Sequence, residues 1–230
     1  PTARLVREEP LGPVPGIAAG LRSGRGRARL DRERSDLVAT VAHELRSPLT
    51  GVKGFVQALL NRWDKLTDDQ RKLMLTTVNA DADRLARLIA ELLDVARIDT
   101  GRLQLYPRES SAEVLVRRVV DSIEAGTSRE ITLEVEPGLP EVFADPDKFT
   151  QVVTNLVENA VRHGQGEVSV GLASSDSLDG VRITVDDQGD GIPTELRRRV
   201  FTKFWTTGES GGSGLGMYIV GGLSRAHGGQ

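Results

Sequence analysis

The sequence predicts an α plus α/β protein: an antiparallel helical hairpin that a second copy completes to a dimeric four-helix bundle, followed by an α/β sandwich. Two observations carry that prediction. Between Leu30 and Val95 apolar residues recur at helical spacing in a polar background, and beyond Gly101 short alternating stretches interleave with further helical ones. With 230 residues, 38% hydrophobic and 27% charged, the chain is long enough for two domains with cores of their own.

Residues 1–29 read as a linker of little order, because Pro10, Pro13, Pro15 and many glycines interrupt any apolar period. From Leu30 the residues Leu37, Val41, Leu45, Val52, Val56 and Leu59 trace one face of a long helix that ends near Arg62. Thr67 with Gln70 forms a capping box that starts a second helix. Its stripe runs through Val78, Leu85, Leu88, Leu92 and Val95, and Gly101 stops it. A lone hairpin cannot bury both stripes, so a homodimer is expected.

Beyond Gly101 the pattern predicts strands at Leu103–Tyr106, Ile131–Val135, Glu167–Leu172 and Val181–Val185, and helices at Ala112–Glu124 and Leu215–Ala226. Asp145 as N-cap with Pro146 at the first helical position begins another helix that reaches about His163. Gly101 and Pro107 make the stretch 100–108 the expected hinge between a domain over 30–100 and one over 101–230.

Composition narrows the function classes. A formal net charge of −3 provides no broad field for nucleic acid, so no nucleic-acid partner is expected. The run Arg22, Arg25, Arg27 and Arg29 reads as a solvated linker or juxtamembrane stretch. The absence of cysteine excludes disulfides, thiolate chemistry and Cys-based zinc sites, and three histidines are too few for a His-rich metal site. No apolar run approaches the roughly 20 residues a membrane-spanning helix needs. A start at Pro1 rather than Met leads us to expect a fragment of a longer protein.

The first chemistry-bearing stretch is Val41-Ala-His-Glu-Leu-Arg-Ser-Pro-Leu-Thr50 on the long helix. The His43 imidazole is a competent nucleophile toward phosphorus when its other ring nitrogen is held by a hydrogen bond, and Glu44 beside it can orient it or take its proton. Pro48 lacks an amide donor and crowds the carbonyl of Glu44, so a bend is expected just past His43. A lone His beside a Glu is more often structural. The wider motif, however, closely resembles the H-box of sensor histidine kinases, whose His is the phosphoacceptor and whose hairpin is the dimerization and phosphotransfer domain. In that family the residue four after the His serves dephosphorylation of the partner regulator; here it is Ser47, which keeps a hydroxyl.

Four further pieces belong to the second domain. Asn155 and Asn159 lie one helical turn apart and can present carboxamide oxygens to Mg²⁺, and Arg162 and His163 continue that face. Asp187-Gln-Gly-Asp-Gly-Ile-Pro193 follows an alternating strand. A carboxylate there can accept a hydrogen bond from a purine amine, while Asp186 points to the other face. Gly212-Ser-Gly-Leu-Gly-Met217 leads into the last helix and can cradle phosphates, with Thr206–Gly211 as a mobile lid. Each piece alone has a commoner structural reading.

In order, and on these elements, the pieces resemble the N, G1 and G2 boxes of the ATP-binding fold shared by histidine kinases, gyrase-type topoisomerases, the Hsp90 chaperone and MutL. Phe201-Thr-Lys-Phe204 resembles the F box between them. The resemblance covers the chain from about Arg29 onward. It implies ATP and Mg²⁺ as cofactors, with Asn155 and Asn159 on the metal and phosphates and Arg162 and His163 lining the nucleotide. By the same resemblance Asp187 meets the adenine amine, Gly189 and Gly191 shape the adenine pocket, and Gly212, Gly214, Leu215 and Gly216 form the phosphate side. Lys203 stands in for an arginine the family places after the aromatic pair. Family members continue from a sequence like Ala226-His-Gly-Gly229 into closing strands, so the sheet is expected to be incomplete and His227 a turn residue.

The implied activity is ATP-dependent phosphorylation of His43 and transfer to an aspartate on a response regulator receiver domain, with phosphatase action on that regulator resting on Ser47. The portion would be cytoplasmic, in a full-length sensor anchored to the inner or plasma membrane. The alternative readings are an ATPase of the same fold acting as a conformational machine, and a nucleotide-binding scaffold without kinase activity.

Overall fold

The computed structural model describes residues 2–6, 16–20, 24–175, 180–206 and 212–229, with side chains from Ala39 onward. The chain divides into two compact units, residues 1–46 and 47–230.

In the first unit, strands β1 (Thr2–Val6) and β2 (Gly16–Gly20) pair antiparallel, Thr2 opposite Gly20 and Val6 opposite Gly16. The reading of 1–29 as an unstructured linker is therefore too simple. Short extended runs on either side of the proline-rich stretch find each other, and helix α1 (Gly24–Arg62) begins six residues before Leu30. α1 ends where the sequence predicts and is helical without interruption through Pro48.

In the second unit, Pro48 and Leu59 of α1 are buried. Gly51 lies where a Cβ would overlap Asp81 Oδ2, so its missing side chain lets the two arms of the hairpin approach. A short turn of tighter helix, Trp63–Lys65, leads to α2 (Asp68–Asp99). The capping box forms as the spacing requires: the Gln70 amide donates to Thr67 Oγ1 at 3.3 Å, and the Thr67 amide donates to Gln70 Oε1 at 3.0 Å. At the other end Gly101 takes φ +64°. The amides of Gly101 and Arg102 then donate to the carbonyls of Ile98 (3.2 Å) and Arg97 (2.9 Å), a Schellman stop.

The predicted strand Leu103–Tyr106 does not form. The Tyr106 amide donates to Asp145 Oδ2 at 2.9 Å and Pro107 has no amide to donate, so pairing starts only at β3 (Arg108–Ser110), against β5 (Val142–Ala144). β5 is a three-residue strand that the sequence pattern does not reveal. α3 (Ala112–Glu124) and β4 (Ile131–Val135) have their predicted bounds. α4 (Pro146–His163) starts on the Asp145 cap; β6 (Val168–Ser174), β7 (Val181–Asp187) and α5 (Gly216–Ala226) shift by one or two residues at their ends.

β4 and β6 pair in parallel, β6 and β7 antiparallel, in the order β4-β6-β7. The crossover from β4 to β6 carries α4. Val168, Val170 and Leu172 alternate on the inner face of β6 and meet Val116 and Val119 of α3 and Val153 and Val157 of α4 in one buried core. Each such side chain contributes on the order of 2 kcal/mol relative to exposure. This core holds α4 and the end of β7 side by side, and those two elements carry Asn155, Asn159, Arg162, His163 and Asp187.

α5 packs on α4 and on α2, burying Ile219, Val220 and Leu223. A Cβ on Gly222 would lie 2.6 Å from Ile98 Cδ1, so a glycine sits where α2 and α5 meet. Beside it the buried Asp94 accepts from Lys148 Nζ at 2.7 Å on both oxygens and from Gln151 Nε2 at 2.8 Å. Such a pair is costly to break because the remaining charge stays buried, typically about 3–5 kcal/mol.

Candidate active site

His43 is exposed on α1, Glu44 is half-buried and engaged, and Ser47 is exposed one turn on. The helix presents the predicted phosphoacceptor to solvent.

Within the second unit several of the predicted nucleotide pieces meet. Asn155 is half-buried, and its Nδ2 donates to the carbonyl of Gly216 at 3.4 Å, joining the middle of α4 to the first residue of α5. That bond leaves Asn155 Oδ1 as the unspent acceptor. Asn159 is half-buried one turn further along. Two neutral carboxamide oxygens on one helix face are a donor set that suits Mg²⁺. Among the described residues there is no cluster of three or more His, Cys, Asp or Glu able to hold a metal.

Arg162 and His163 occupy the last turn of α4 and are exposed. Desolvation, with the adjacent Arg162 charge, pushes the His163 imidazole below its usual range, which favours the neutral ring. Asp187 is the last residue of β7, on the same alternation as Ile183 and Val185, which pack against the core. Asp186 falls on the opposite face, as the period requires. The Asp187 Oδ1 accepts from the Gly189 amide at 2.7 Å, which folds the glycine turn back onto the carboxylate. Gly191 takes φ +70°, a conformation other residues rarely adopt.

The predicted phosphate-side loop is equally tight. Gly214 takes φ +66°, and a Cβ there would sit 2.6–2.9 Å from the backbone of Phe204 and Trp205. Phe204 itself has φ +58°, an uncommon state for an aromatic residue, so the F-box and G2 segments are fitted backbone to backbone. Gly212 is half-buried beside them, and Leu215 is fully buried ahead of α5 and anchors the loop. Most of the expected lid, residues 207–211, lies outside the described residues.

Several polar contacts at this site had no local signal in the sequence. Lys203 Nζ pairs with Asp99 at the end of α2 and lies 5.1 Å from the centre of the Tyr218 ring. The Tyr218 hydroxyl donates to Asp99 Oδ1 at 2.5 Å, and burial together with that carboxylate pushes the phenol up to about 12. Ser213 Oγ donates to Glu91 Oε2 at 2.7 Å. Burial raises the Glu91 carboxyl; the Ser213 bond and the charges of Arg162 and Arg87 oppose the rise, and Glu158 adds to it. Three carboxylates of α2, Glu91, Asp94 and Asp99, thus each hold a different part of the α/β domain.

His227 caps the end of α5, where the Asp145 amide donates to its Nε2 at 3.2 Å. Nε2 must then be the acceptor, so Nδ1 carries the proton and donates to the Leu223 carbonyl at 2.8 Å. The expectation of a structural turn residue agrees with that geometry. A cavity of about 590 Å³ opens on the α3 side of α4, lined by Arg87, Arg118, Thr150, Thr154 and Glu158, and touches only Arg162 of the predicted nucleotide residues.

Comparison with known proteins assigns both regions. Residues 33–101 match the His Kinase A (phospho-acceptor) domain, and residues 144–230 match the Histidine kinase-, DNA gyrase B-, and HSP90-like ATPase. The alginate biosynthesis sensor protein KinB of Pseudomonas aeruginosa is 32% identical over 204 residues, covering 87% of this chain and 34% of that protein. The chain therefore spans about a third of the length of that curated relative. The crystal structure of full-length ShkA in complex with AMPPNP is similar with a TM-score of 0.60 at 33% identity, over 83% of this chain and 41% of that one. The histidine kinase ThkA, solved in complex with the response regulator protein TrrA, is similar with a TM-score of 0.53 at 27% identity, over 80% of this chain and 54% of that one. With a phospho-acceptor region followed by an ATPase region of the matching fold, the chain belongs to the sensor histidine kinases.

Proposed function

We propose that this portion binds ATP in the α/β domain, transfers its γ-phosphoryl group to His43, and passes it on to an aspartate of a response regulator receiver domain. The carrying observation is that separated sequence pieces meet in the α/β domain, with Asn155 bonded to Gly216, the turn after α4 packed on Asp187, and Gly214 packed on Phe204. In the reaction a His43 ring nitrogen attacks phosphorus, the bond to the β-phosphate oxygen breaks, and ADP leaves. Glu44, next in the chain, orients the imidazole or accepts its proton.

Asp187 and the turn at Gly189 and Gly191 hold the adenine, and the loop Gly212–Gly216 receives the phosphates on its amides. Asn155 and Asn159 would hold Mg²⁺, which when bound neutralises phosphate charge. Arg162 and His163 line the nucleotide, and Lys203 can add a cation once it leaves Asp99. Ser47 would serve hydrolysis of the phosphorylated regulator, a second activity of the same helix. Transfer to a receiver domain draws support from the ThkA complex with TrrA. The portion would act as a homodimer on the cytoplasmic side of a membrane-anchored sensor.

Incubation with γ-labelled ATP tests this directly. Acid-labile, alkali-stable label should appear on the wild type, vanish in His43→Gln with nucleotide binding intact, and vanish together with ATP affinity in Asn159→Ala and Asp187→Ala. Persistent label on His43→Gln would overturn the assignment. Tight ATP binding with no label on the wild type would replace it with a nucleotide-binding scaffold.

A further inference from the structure

Helix α4 ends without the usual cap. Its C-cap residue Gly164 is extended, φ −78° and ψ −179°, so no left-handed turn folds back to satisfy the last carbonyls. Two of those carbonyls, that of Ala160, which also accepts from the Gly164 amide at 2.9 Å, and that of Val161, meet one side chain from far away in the sequence. Arg129, half-buried just before β4, donates from Nη1 to the carbonyls of Ala160 (3.1 Å), Val161 (2.9 Å) and Gly164 (2.8 Å). It also donates from Nε (2.9 Å) and Nη2 (2.6 Å) to the carbonyl of Gly166. A planar guanidinium can span the helix end and the following turn at once, which an ammonium cannot. Arg129 is itself fixed, since its amide donates to Thr127 Oγ1 at 3.2 Å and the carbonyl of its neighbour Glu130 accepts from the Val168 amide at 3.0 Å.

The turn that Arg129 holds is the surface on which Asp187 rests. A Cβ on Gly164 would overlap Asp187 Cγ, and one on Gly166 would overlap Gln188 Oε1. The Gln188 amide donates to the Gln165 carbonyl at 3.0 Å. Gly189, whose amide binds the Asp187 carboxylate, packs on the same turn: a Cβ there would lie 3.4 Å from both the Gln165 amide nitrogen and the Gly164 Cα. A displacement of residues 164–166 would therefore carry the Asp187 carboxylate with it.

We propose that Arg129 is a positioning residue for base recognition: by pinning the 164–166 turn it sets where the Asp187 carboxylate stands, and so determines the preference for an adenine over a guanine nucleotide. This rests on the reading of Asp187 as the group that meets the adenine amine. The expected effect lies in nucleotide affinity and selectivity, because the turn supports the base rather than the phosphates or His43.

The test uses the whole chain and three variants, Arg129→Gln, Arg129→Lys and Asp187→Asn, with ATP and GTP affinities from calorimetry and KM and kcat from autophosphorylation. Arg129→Gln should raise the ATP KM by about tenfold, the loss expected for a misplaced charge-assisted hydrogen bond. Its kcat at saturating ATP should stay within about twofold and its GTP affinity should change little, so the ATP-to-GTP preference falls. Arg129→Lys keeps a cation at the helix end, and its ATP KM should fall between the two; it also serves as the readout should Arg129→Gln fail to fold. Asp187→Asn should lose the same preference. If Asp187→Asn loses it while both folded Arg129 variants keep the wild-type ratio, the role of Arg129 is wrong and the site stands. If Asp187→Asn keeps it as well, the reading of the base pocket itself fails. A lowered melting temperature with an unchanged ATP-to-GTP ratio would make Arg129 a simple helix cap and overturn the proposal.

Discussion

Asp145 joins three parts of the second unit through one residue: the first turn of α4, the stretch at Tyr106 and the end of α5. Its Oδ1 accepts from the amides of Asp147 and Lys148, both at 3.1 Å, its Oδ2 from Tyr106, and its own amide donates to His227. Burial alone would raise the carboxyl, but the three amides outweigh it and hold the group below its ordinary value of 3.8. A lowered value means stability that is present above the ordinary pKa and disappears as pH falls through the folded one. Asp145→Ala should cost about 1–2 kcal/mol at neutral pH, the usual range for a helix N-cap. The difference from wild type should narrow at pH values under 3.8, where urea unfolding of the two proteins provides the comparison.

The legible residues are those whose partners are near in sequence. The Thr67 and Gln70 capping box, the Asp145-Pro146 start and the Gly101 stop all act within a helical turn or so, and residue type alone specifies them. Arg129 reaches carbonyls 31 to 37 residues away and Lys148 reaches Asp94 across 54, distances at which composition carries no register. The candidate nucleotide pieces could be picked out because each is a local motif. Their grip on α2 could not, because it consists of side-chain pairs that only the packed fold brings together.

At the scale of elements, sequence patterns located the long helices, while the start of α1 and the pairs β1 with β2 and β3 with β5 were missed. β3 and β5 have three residues each, too few for an alternation to register, and Tyr106 is withdrawn from strand pairing by a carboxylate in another element. The contact of α5 with α2 depends on a residue that helix propensity disfavours. Gly222 costs about 1 kcal/mol relative to Ala in a helix interior, yet the space above it belongs to Ile98. Gly222→Ala alone should destabilise by about 1–3 kcal/mol through overpacking. In an Ile98→Ala background the same change should become neutral or stabilising, and unfolding of the four proteins of that cycle reads the sign reversal.

For the molecule as a whole, the hairpin keeps large apolar side chains that one chain does not cover. Leu59, Leu88 and Val95 are buried, whereas Leu49, Leu60, Leu73 and Leu93 are more than half exposed. Exposed leucines on both helices fit the expected bundle between two copies. Sedimentation equilibrium should give twice the chain mass at micromolar concentration, and Leu60→Glu with Leu73→Glu should shift it toward the single-chain mass with helicity largely kept. A wild-type chain that sediments as a monomer with its hairpin folded would rule out that arrangement.

The three carboxylates of α2 sit at different depths, and ionic strength should separate them. In the Lys203 and Asp99 pair the side chains are 33% and 36% exposed, while those of Lys148 and Asp94 are 20% and 6% exposed. Raising salt from about 0.15 M to about 1 M shortens the screening length from about 8 Å to about 3 Å, which weakens the wetter pair first. Amide hydrogen exchange should then quicken along Phe201–Trp205 while the first turn of α4 keeps its protection. The α2 helix would thus let go of the F-box segment before it releases α4, an order of release written into the burial of its acidic residues.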